Sequence, residues 1–369
     1  MTQLILHIGS HKTGTTSIQK ALCTHRGALA ACGWSLFTVA PSGEDRPFGN
    51  ANPWIVCDKD DMTQSYIHPD LSYALSRQRS NTLISSEFFS WISNPQMIQD
   101  FCQAIKDHFT DIKLIVYLRR QDLQAISHHQ QGSKGTNVPA SWFYGHSPRA
   151  LPDHNDQLKC YLDYYQRMAI WADCLGDGAI HIRCYERDRF PEQDVVKDFF
   201  TFLQSSNIQI DASSETENVS RGFIQTKLGH LMNQVELSEQ QRNVIGGQLE
   251  DCGKLMPSRE EAKVFYHAYE ESNQKLQQRF QCGSTASFFN DDFSMYTDLA
   301  EDLWDESKAN DVIRKLLSAI KNMPLAEDDD IGLLLKQAGA LAQDNPQAAF
   351  QLKKLALKLR PDLFVSKRL

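Results

Sequence analysis

Short apolar runs alternate with amphipathic stretches along roughly the first 205 residues of the chain. A short run rich in Leu, Ile and Val is typical of a buried strand, and apolar residues at helical spacing indicate a helix. The predicted strands are 4–8, 81–86, 112–118 and 178–185, and the predicted helices are 15–32, 95–109, 122–131, 156–175 and 192–204. Strands that alternate with helices predict an α/β fold with a mainly parallel sheet flanked by helices.

The rest of the chain carries helical patterns and no comparable strand. These helices are predicted at 223–236, 258–280, 309–320, 330–343 and 346–359. We therefore predict an α/β core over 1–205, helices that complete the same domain over 206–325, and a C-terminal helical hairpin over 326–369. The hairpin resembles one unit of a tetratricopeptide repeat, but stacking needs about three repeats. A packed extension and a surface for a partner protein therefore both stay open.

Composition narrows the classes of partner. The 369 residues carry a net charge of -8, which argues against a nucleic-acid binder, because such proteins need a basic surface. No stretch reaches the roughly 20 apolar residues of a membrane span, and the opening apolar run, 4–8, is shorter than we expect of a secretory signal. The nine cysteines are scattered without a Cys-x-x-Cys pair, which favours reduced thiols in a cytoplasmic protein over a disulfide framework or a metal site.

The segment from Gly9 to Ser17 joins the first predicted strand to the first predicted helix. Backbone N–H groups point outward at such a junction, and the helix dipole adds partial positive charge. Gly9 and Gly14 permit a close backbone approach. The residues that could cradle an anion are Lys12, Thr13, Gly14, Thr15, Thr16 and Ser17. The glycine spacing matches the P-loop of nucleotide triphosphatases, but the lysine lies two residues before the second glycine instead of directly after it.

This displaced lysine, in His11-Lys12-Thr13-Gly14-Thr15-Thr16, resembles the 5′-phosphosulfate loop of sulfotransferases that use 3′-phosphoadenosine 5′-phosphosulfate (PAPS). Members of that family read the 3′-phosphate with an Arg at a strand end and a Ser eight residues later. Arg119 and Ser127 have that spacing, although Arg120 could exchange roles with Arg119. An Arg at the carboxyl end of a parallel strand suits a phosphate ligand for independent reasons.

The resemblance covers about residues 3–205 and implies a PAPS-binding core that releases 3′-phosphoadenosine 5′-phosphate (PAP). It looks closest to bacterial proteins related to the carbohydrate and heparan-type sulfotransferases. The family's late cofactor loop has a weak counterpart at 218–222, which contains Arg221. The chemistry requires no metal, and no cluster of metal ligands is evident in the sequence.

The reaction implied by the resemblance needs a cation at the leaving oxygen and a base for the acceptor hydroxyl. Lys12 is the predicted cation. Family members use a His or a Glu near the end of a central strand as the base, and Glu87 ends the strand over 81–86. A helix N-terminal role for Glu87 stays open. The alternative bases are His7, His11, His128 and His129.

Two segments, 39–69 and 132–155, are predicted to be long irregular loops of the kind that often carry function. Aromatic residues that could face an acceptor sugar, or simply pack, are Trp54, Trp91, Trp142, Phe143 and Tyr144. The resemblance implies a hydroxyl-bearing acceptor, with a carbohydrate favoured.

Two rival functions remain at this level. A P-loop kinase would use ATP with Mg²⁺, with Glu87 as the metal ligand, but the positions of Lys12 and Arg119 oppose it. A non-catalytic module could bind a partner protein through its C-terminal helices, although such a module needs no base beside a phosphate cradle.

Overall fold

The fold is described from a computed structural model of the chain. The structure describes residues 2–46, 49–203, 221–235, 237, 239–246, 253–282, 287–321, 328–343 and 345–359. The strands are β1 (Gln3–His7), β2 (Trp34–Leu36), β3 (Ile55–Val56), β4 (Tyr66–Ile67), β5 (Asn81–Ser85), β6 (Asp111–Leu118) and β7 (Ile180–Cys184).

Five of these strands form one parallel sheet in the order β2-β5-β1-β6-β7. The central strand β1 pairs with β5 on one side, with Ile5 opposite Leu83, and with β6 on the other, with Leu6 opposite Leu114. The short strands β3 and β4 form a separate antiparallel pair.

The helices, in chain order, are α1 (Thr15–Thr24), α2 (Arg26–Ala31), α3 (Leu71–Ser76), α4 (Pro95–Lys106), α5 (Gln121–Gly132), α6 (Pro139–Tyr144), α7 (Asp156–Leu162), α8 (Tyr164–Leu175), α9 (Val195–Phe202), α10 (Phe223–Gln234), α11 (Glu239–Gly246), α12 (Arg259–His267), α13 (Glu270–Phe280), α14 (Glu306–Lys321), α15 (Asp328–Ala340) and α16 (Pro346–Leu359).

The sheet is buried on both faces because alternate residues of each strand point to opposite sides. Leu4 and Leu6 of β1 join one hydrophobic cluster, whereas Ile5 joins a second cluster that includes Ile18 of α1 and Phe199 of α9. A sheet covered on both faces explains why its strands are continuous apolar runs in the sequence.

Two compact units make up the chain. The first comprises 1–237 and 250–303 and contains the sheet. The second comprises 238–249 and 304–369; within it, α15 packs against α16 and α11 packs against α14. The three-part division into 1–205, 206–325 and 326–369 stays a prediction.

The predicted fold class is confirmed: a parallel central sheet is flanked by helices, and the described residues after α9 form helices and loops but no strand. Three long predicted helices are each divided in two, among them 258–280, where Ala268 and Tyr269 separate α12 from α13. His25 separates α1 from α2, and Asp163 separates α7 from α8, where its side chain accepts a hydrogen bond from Gln166 N (3.0 Å) and caps α8. The edge strand β2 was not predicted, since three residues carry too little pattern.

The strand ends explain where a site can form. β1, β5, β6 and β7 are parallel, so their carboxyl ends meet at one edge of the sheet. The segments that leave this edge begin at Ile8, Ser86, Arg119 and Tyr185, and the first two lead directly into Gly9 and Glu87. Ligands of open α/β sheets bind at such an edge. No described helix is both long enough and apolar enough to cross a bilayer.

Candidate active site

The loop between β1 and α1 has the backbone geometry of a phosphate cradle. Gly9 and Gly14 have φ angles of 66° and 78°. A Cβ at Gly9 would lie 2.7 Å from Glu87 Cα, and one at Gly14 would lie 2.7 Å from Val195 Cγ1, so neither position has room for a side chain. Lys12 has a φ of 62°, a left-handed conformation that is uncommon outside glycine and often found at ligand sites.

The first turn of α1 leaves its backbone donors available. Gly14 is its N-cap and supplies no side-chain hydrogen bond. The Thr13 hydroxyl donates to Ser10 O (2.6 Å), so this hydroxyl closes the loop. Thr15 is buried, Ser17 is half-buried and Thr16 is exposed. A helix N-terminus with unfilled donors favours an anion.

Lys12 is half-buried among other cations. Burial, followed by the charges of Lys134 and Arg119, lowers the pKa of Lys12 to about 8. Within the described parts of the chain, the side chains of these three residues have no hydrogen-bond or ion-pair partner. Cations held together without a counter-charge are costly, and a bound polyanion would offset that cost.

The two arginines after β6 differ sharply. The Arg120 guanidinium forms a bidentate ion pair with Asp122 (2.8 and 2.9 Å), donates to the carbonyls of Asn290 and Asp292, and stacks on Phe293 at 4.0 Å. Arg120 is therefore a structural residue. Arg119 is half-buried, and its desolvation lowers the pKa of its guanidinium, which still leaves it charged at neutral pH. Arg119 is thus the arginine available to a ligand.

Helix α5 contacts the phosphate loop through a pair of histidines, His128 of the helix and His11 of the loop. The ring of His128 stacks on that of His11 with centroids 4.4 Å apart. Each histidine adjoins a predicted site residue, since His11 precedes Lys12 and His128 follows Ser127. Ser127 itself is half-buried on α5, and its pairing with Arg119 stays a prediction.

Two residues at this edge were missed by sequence reasoning. Lys134 lies in the turn after α5, and its charge acts on Lys12. Tyr185 follows β7 and lies near both Gly14 and Arg119: its hydroxyl would be 3.6 Å from a Cβ at Gly14, and it interacts electrostatically with Arg119. The signal for Tyr185 was its position as the last residue of the predicted strand over 178–185. Lys134 lies between two glycines, which signals only a turn.

Glu87 is the first residue of a short 3-10 helix (Glu87–Trp91) that follows β5 after Ser86, so it has the helix N-terminal position that the sequence left open, and it lies beside Gly9 of the phosphate loop. Its two carboxylate oxygens accept hydrogen bonds from different segments. Gln19 Nε2 of α1 donates to Oε2 (2.8 Å), and Asn52 Nδ2 donates to Oε1 (3.1 Å). The half-buried carboxylate is thus held at the same sheet edge as Lys12.

The histidines weighed as bases are poor candidates. His7 is buried in β1 against Ser85 Oγ (2.9 Å), and burial lowers the pKa of His7 to about 3. Burial also lowers the pKa of His11 to about 3 and that of His129 to about 4, and it holds the pKa of His128 well below its usual range. A base works best with a pKa near the working pH, so such weak bases are disfavoured.

A cavity of about 370 Å³ lies beside Glu87. Its wall includes Asn52, which bonds Glu87, together with Phe88, Ile55 and Trp142. The other aromatic residues considered for an acceptor, namely Trp54, Trp91, Phe143 and Tyr144, are buried in the hydrophobic core. Trp142 is the one of the five that is half-buried and lines the cavity, and Lys59 Nζ lies over its ring at 4.9 Å.

The segment 218–222, the predicted counterpart of the family's late cofactor loop, is only partly described, because 218–220 lie outside the described residues. Arg221 donates to Ser133 O (3.1 Å), one residue before Lys134. Among the described residues, no group of three or more His, Cys, Asp or Glu side chains could hold a metal ion.

Comparison with known proteins leaves the function open. No known family's sequence profile matches the chain. An uncharacterized protein of Archaeoglobus fulgidus is 30% identical over 175 residues, which are 44% of each chain, so the match spans less than half of that relative. The crystal structure of a sulfotransferase from Alicyclobacillus acidocaldarius is similar at 16% identity and a TM-score of 0.40, over 76% of this chain and 97% of that one. A likeness this distant transfers no activity to the chain.

Proposed function

We propose that the protein transfers a sulfuryl group from PAPS to an acceptor hydroxyl. The observation that carries this proposal is the set of unpaired cations at the carboxyl edge of the sheet. Lys12 and Arg119 leave neighbouring strands, sense each other's charge and have no partner in the described residues. PAPS carries phosphate groups at two ends of one nucleoside, and two separate cations at one sheet edge suit such a ligand.

Each residue has a distinct part in holding the donor. The backbone of residues 12–17 and the Lys12 amine would bind the 5′-phosphosulfate at the N-terminus of α1. Arg119 and Ser127 would bind the 3′-phosphate, with a guanidinium fork and a hydroxyl donor. A reader of the 3′-phosphate is also what distinguishes PAPS from ATP.

The proposed reaction is a direct displacement at sulfur. Glu87 accepts the proton of the acceptor hydroxyl while the acceptor oxygen forms a bond to sulfur. The bond between sulfur and the 5′-phosphate oxygen breaks, and the electron pair stays with PAP. Lys12 stabilises the charge that grows on that oxygen. These steps use only groups of the chain and the two substrates.

The cavity beside Glu87 is the proposed binding site for the acceptor. Its wall combines the ring of Trp142 and the side chain of Phe88 with the amide of Asn52. Aromatic faces with a few polar groups suit a sugar ring, which is apolar on its faces and polar at its edges. We therefore favour a carbohydrate acceptor.

Calorimetric titration of the protein with PAP and with ATP–Mg²⁺ tests the donor. We expect PAP to bind tightly and ATP–Mg²⁺ weakly or not at all. The reverse preference would support a kinase and make Glu87 a metal ligand. Binding of neither nucleotide would contradict the enzyme and favour a module that binds a partner protein.

A further inference from the structure

Glu87 is held by two amide side chains that come from different parts of the fold. Gln19 lies on α1, five residues after Gly14, and Asn52 lies in the segment between β2 and β3. Gln19 Nε2 is 2.8 Å from Glu87 Oε2 and Asn52 Nδ2 is 3.1 Å from Glu87 Oε1. We call this arrangement, Gln19–Glu87–Asn52, the amide clamp.

Both amides are themselves fixed. Gln19 is buried, with 4% of its surface exposed, and its Nε2 also donates to Ser85 Oγ (3.2 Å). Asn52 Oδ1 accepts a hydrogen bond from Ser86 Oγ (2.7 Å). Each amide is thus bonded both to the end of β5 and to the carboxylate that follows it. Side chains held at two points lose little further freedom when they orient a third group.

We propose that Gln19 and Asn52 are positioning residues that aim the Glu87 carboxylate at the acceptor hydroxyl. This inference rests on the proposed function, in which Glu87 is the base. An ionised carboxylate offers about four lone-pair sites, and the clamp uses one on each oxygen. The remaining lone pairs are free to accept the acceptor's proton.

The clamp also joins the two substrate sites. Gln19 belongs to the helix whose N-terminus is the proposed phosphosulfate site, so it ties the carboxylate to the donor. Asn52 lines the 370 Å³ cavity, so it ties the same carboxylate to the proposed acceptor site. Displacement of a reacting group by about 1 Å can cost about 100-fold in rate. The clamp therefore fixes the distance on which transfer depends.

Two substitutions remove the clamp with little change in volume. Gln19→Met deletes the Nε2 donor, and Ser85 Oγ keeps its bond to His7. Asn52→Asp keeps an oxygen for Ser86 Oγ but sets a second carboxylate against Glu87. Asn94→Asp is the matched control: Asn94 is exposed at the start of α4, and its Oδ1 would still cap Met97 N.

The experiment measures release of PAP from PAPS with a pool of sugar acceptors, together with the Kd for PAP and the Tm. We expect kcat to fall about 10-fold in Gln19→Met and about 100-fold in Asn52→Asp, since a positioned base contributes about 10²–10⁴-fold. PAP affinity should change by no more than about twofold, and Asn94→Asp should match wild type.

A double variant separates positioning from a merely structural role. In a Glu87→Gln background, Gln19→Met should change kcat by less than about twofold, because the group it positions is already lost. The same 10-fold loss in both backgrounds, or equal losses of kcat and PAP affinity, would overturn the clamp. Wild-type rates in both single variants would overturn it while leaving the proposed function intact. If wild type binds no PAP and releases none, the proposed function is wrong and the clamp with it.

Discussion

Arg119 and Arg120 are adjacent in the chain, but they lie in two regions with opposite electrostatics. Every charge and donor around Arg120 has a partner: Asp122 balances its charge, two carbonyls accept hydrogen bonds from its guanidinium, and Tyr296 donates a hydrogen bond to the Asp122 carboxylate. The region around Arg119 contains further cations, and the Arg119 side chain has no hydrogen-bond or ion-pair partner in the described chain; the Asp122 carboxylate, which Arg120 already pairs, acts on Arg119 only through its charge.

The difference shows how a fold can separate stability from binding. A buried charge is tolerated only because its partners compensate it. Loss of one partner leaves the other charge buried and uncompensated, which destabilises the folded state. A cation without partners weakens the folded state slightly and keeps its binding capacity for a ligand. Substitutions in the two regions should therefore have opposite consequences.

The largest effect is expected on the free energy of unfolding, in the region around Arg120. Arg120→Ala leaves the Asp122 carboxylate buried without its counter-charge, so we expect unfolding free energy to fall by about 3–5 kcal/mol. Arg119→Ala should leave unfolding free energy within about 0.5 kcal/mol of wild type. Denaturant unfolding of the two variants checks this, and equal losses would mean that Arg119 is also structural.

The second effect concerns ligand binding. Arg119→Ala should weaken PAP binding by about 10- to 100-fold, the value of one or two hydrogen bonds to a charged group. Arg119→Lys should recover only part of the loss, because an ammonium group lacks the guanidinium fork. Calorimetry with PAP measures both variants. Unchanged affinity in Arg119→Ala would contradict its assignment.

The third effect is a gain in stability at a proposed site residue. The pKa of Lys12 is about 8 in the folded protein and near 10.5 when unfolded, so its charge opposes folding at pH 7. We expect Lys12→Met to raise Tm by about 2–4 °C, as about 1 kcal/mol does in a domain of this size, and to abolish PAP binding. A lower Tm would show that Lys12 has a partner that stabilises it.

The smallest effect is a pH dependence of affinity. An anion prefers protonated Lys12, so PAP should bind best below pH 8 and more weakly as the pH rises through about 8. The Kd should rise several-fold between about pH 8 and 9.5, at most about tenfold per unit for one proton. Titrations across this range measure it. A flat profile would mean that the Lys12 proton does not contribute to binding.

The sequence was sufficient for the sheet and for the edge that carries the site. Runs such as 112–118 are apolar because β6 is buried on both faces, so they are easy to recognise. Parallel strands then bring Lys12, Glu87 and Arg119 to one edge by topology alone.

Other features depended on contacts between distant segments. Arg120 finds its carbonyl partners 170 and 172 residues away, so the sequence favoured Arg119 only through its spacing to Ser127 and could not show that Arg120 is structural. The bonds of Gln19 and Asn52 to Glu87 span 68 and 35 residues, and neither amide belongs to a motif. The aromatic residues were ambiguous because burial depends on tertiary packing, and four of the five proved to be core residues.

The central claim is that Arg119 reads a 3′-phosphate beside a phosphate loop. The most direct test compares the affinities for PAP and for adenosine 5′-monophosphate, which lacks only that phosphate. We predict that the wild-type protein binds PAP about 100-fold more tightly and that Arg119→Ala reduces this ratio to about 10 or less. Equal affinity of the wild-type protein for the two nucleotides would contradict the account, because no residue of the site would then be reading the 3′-phosphate.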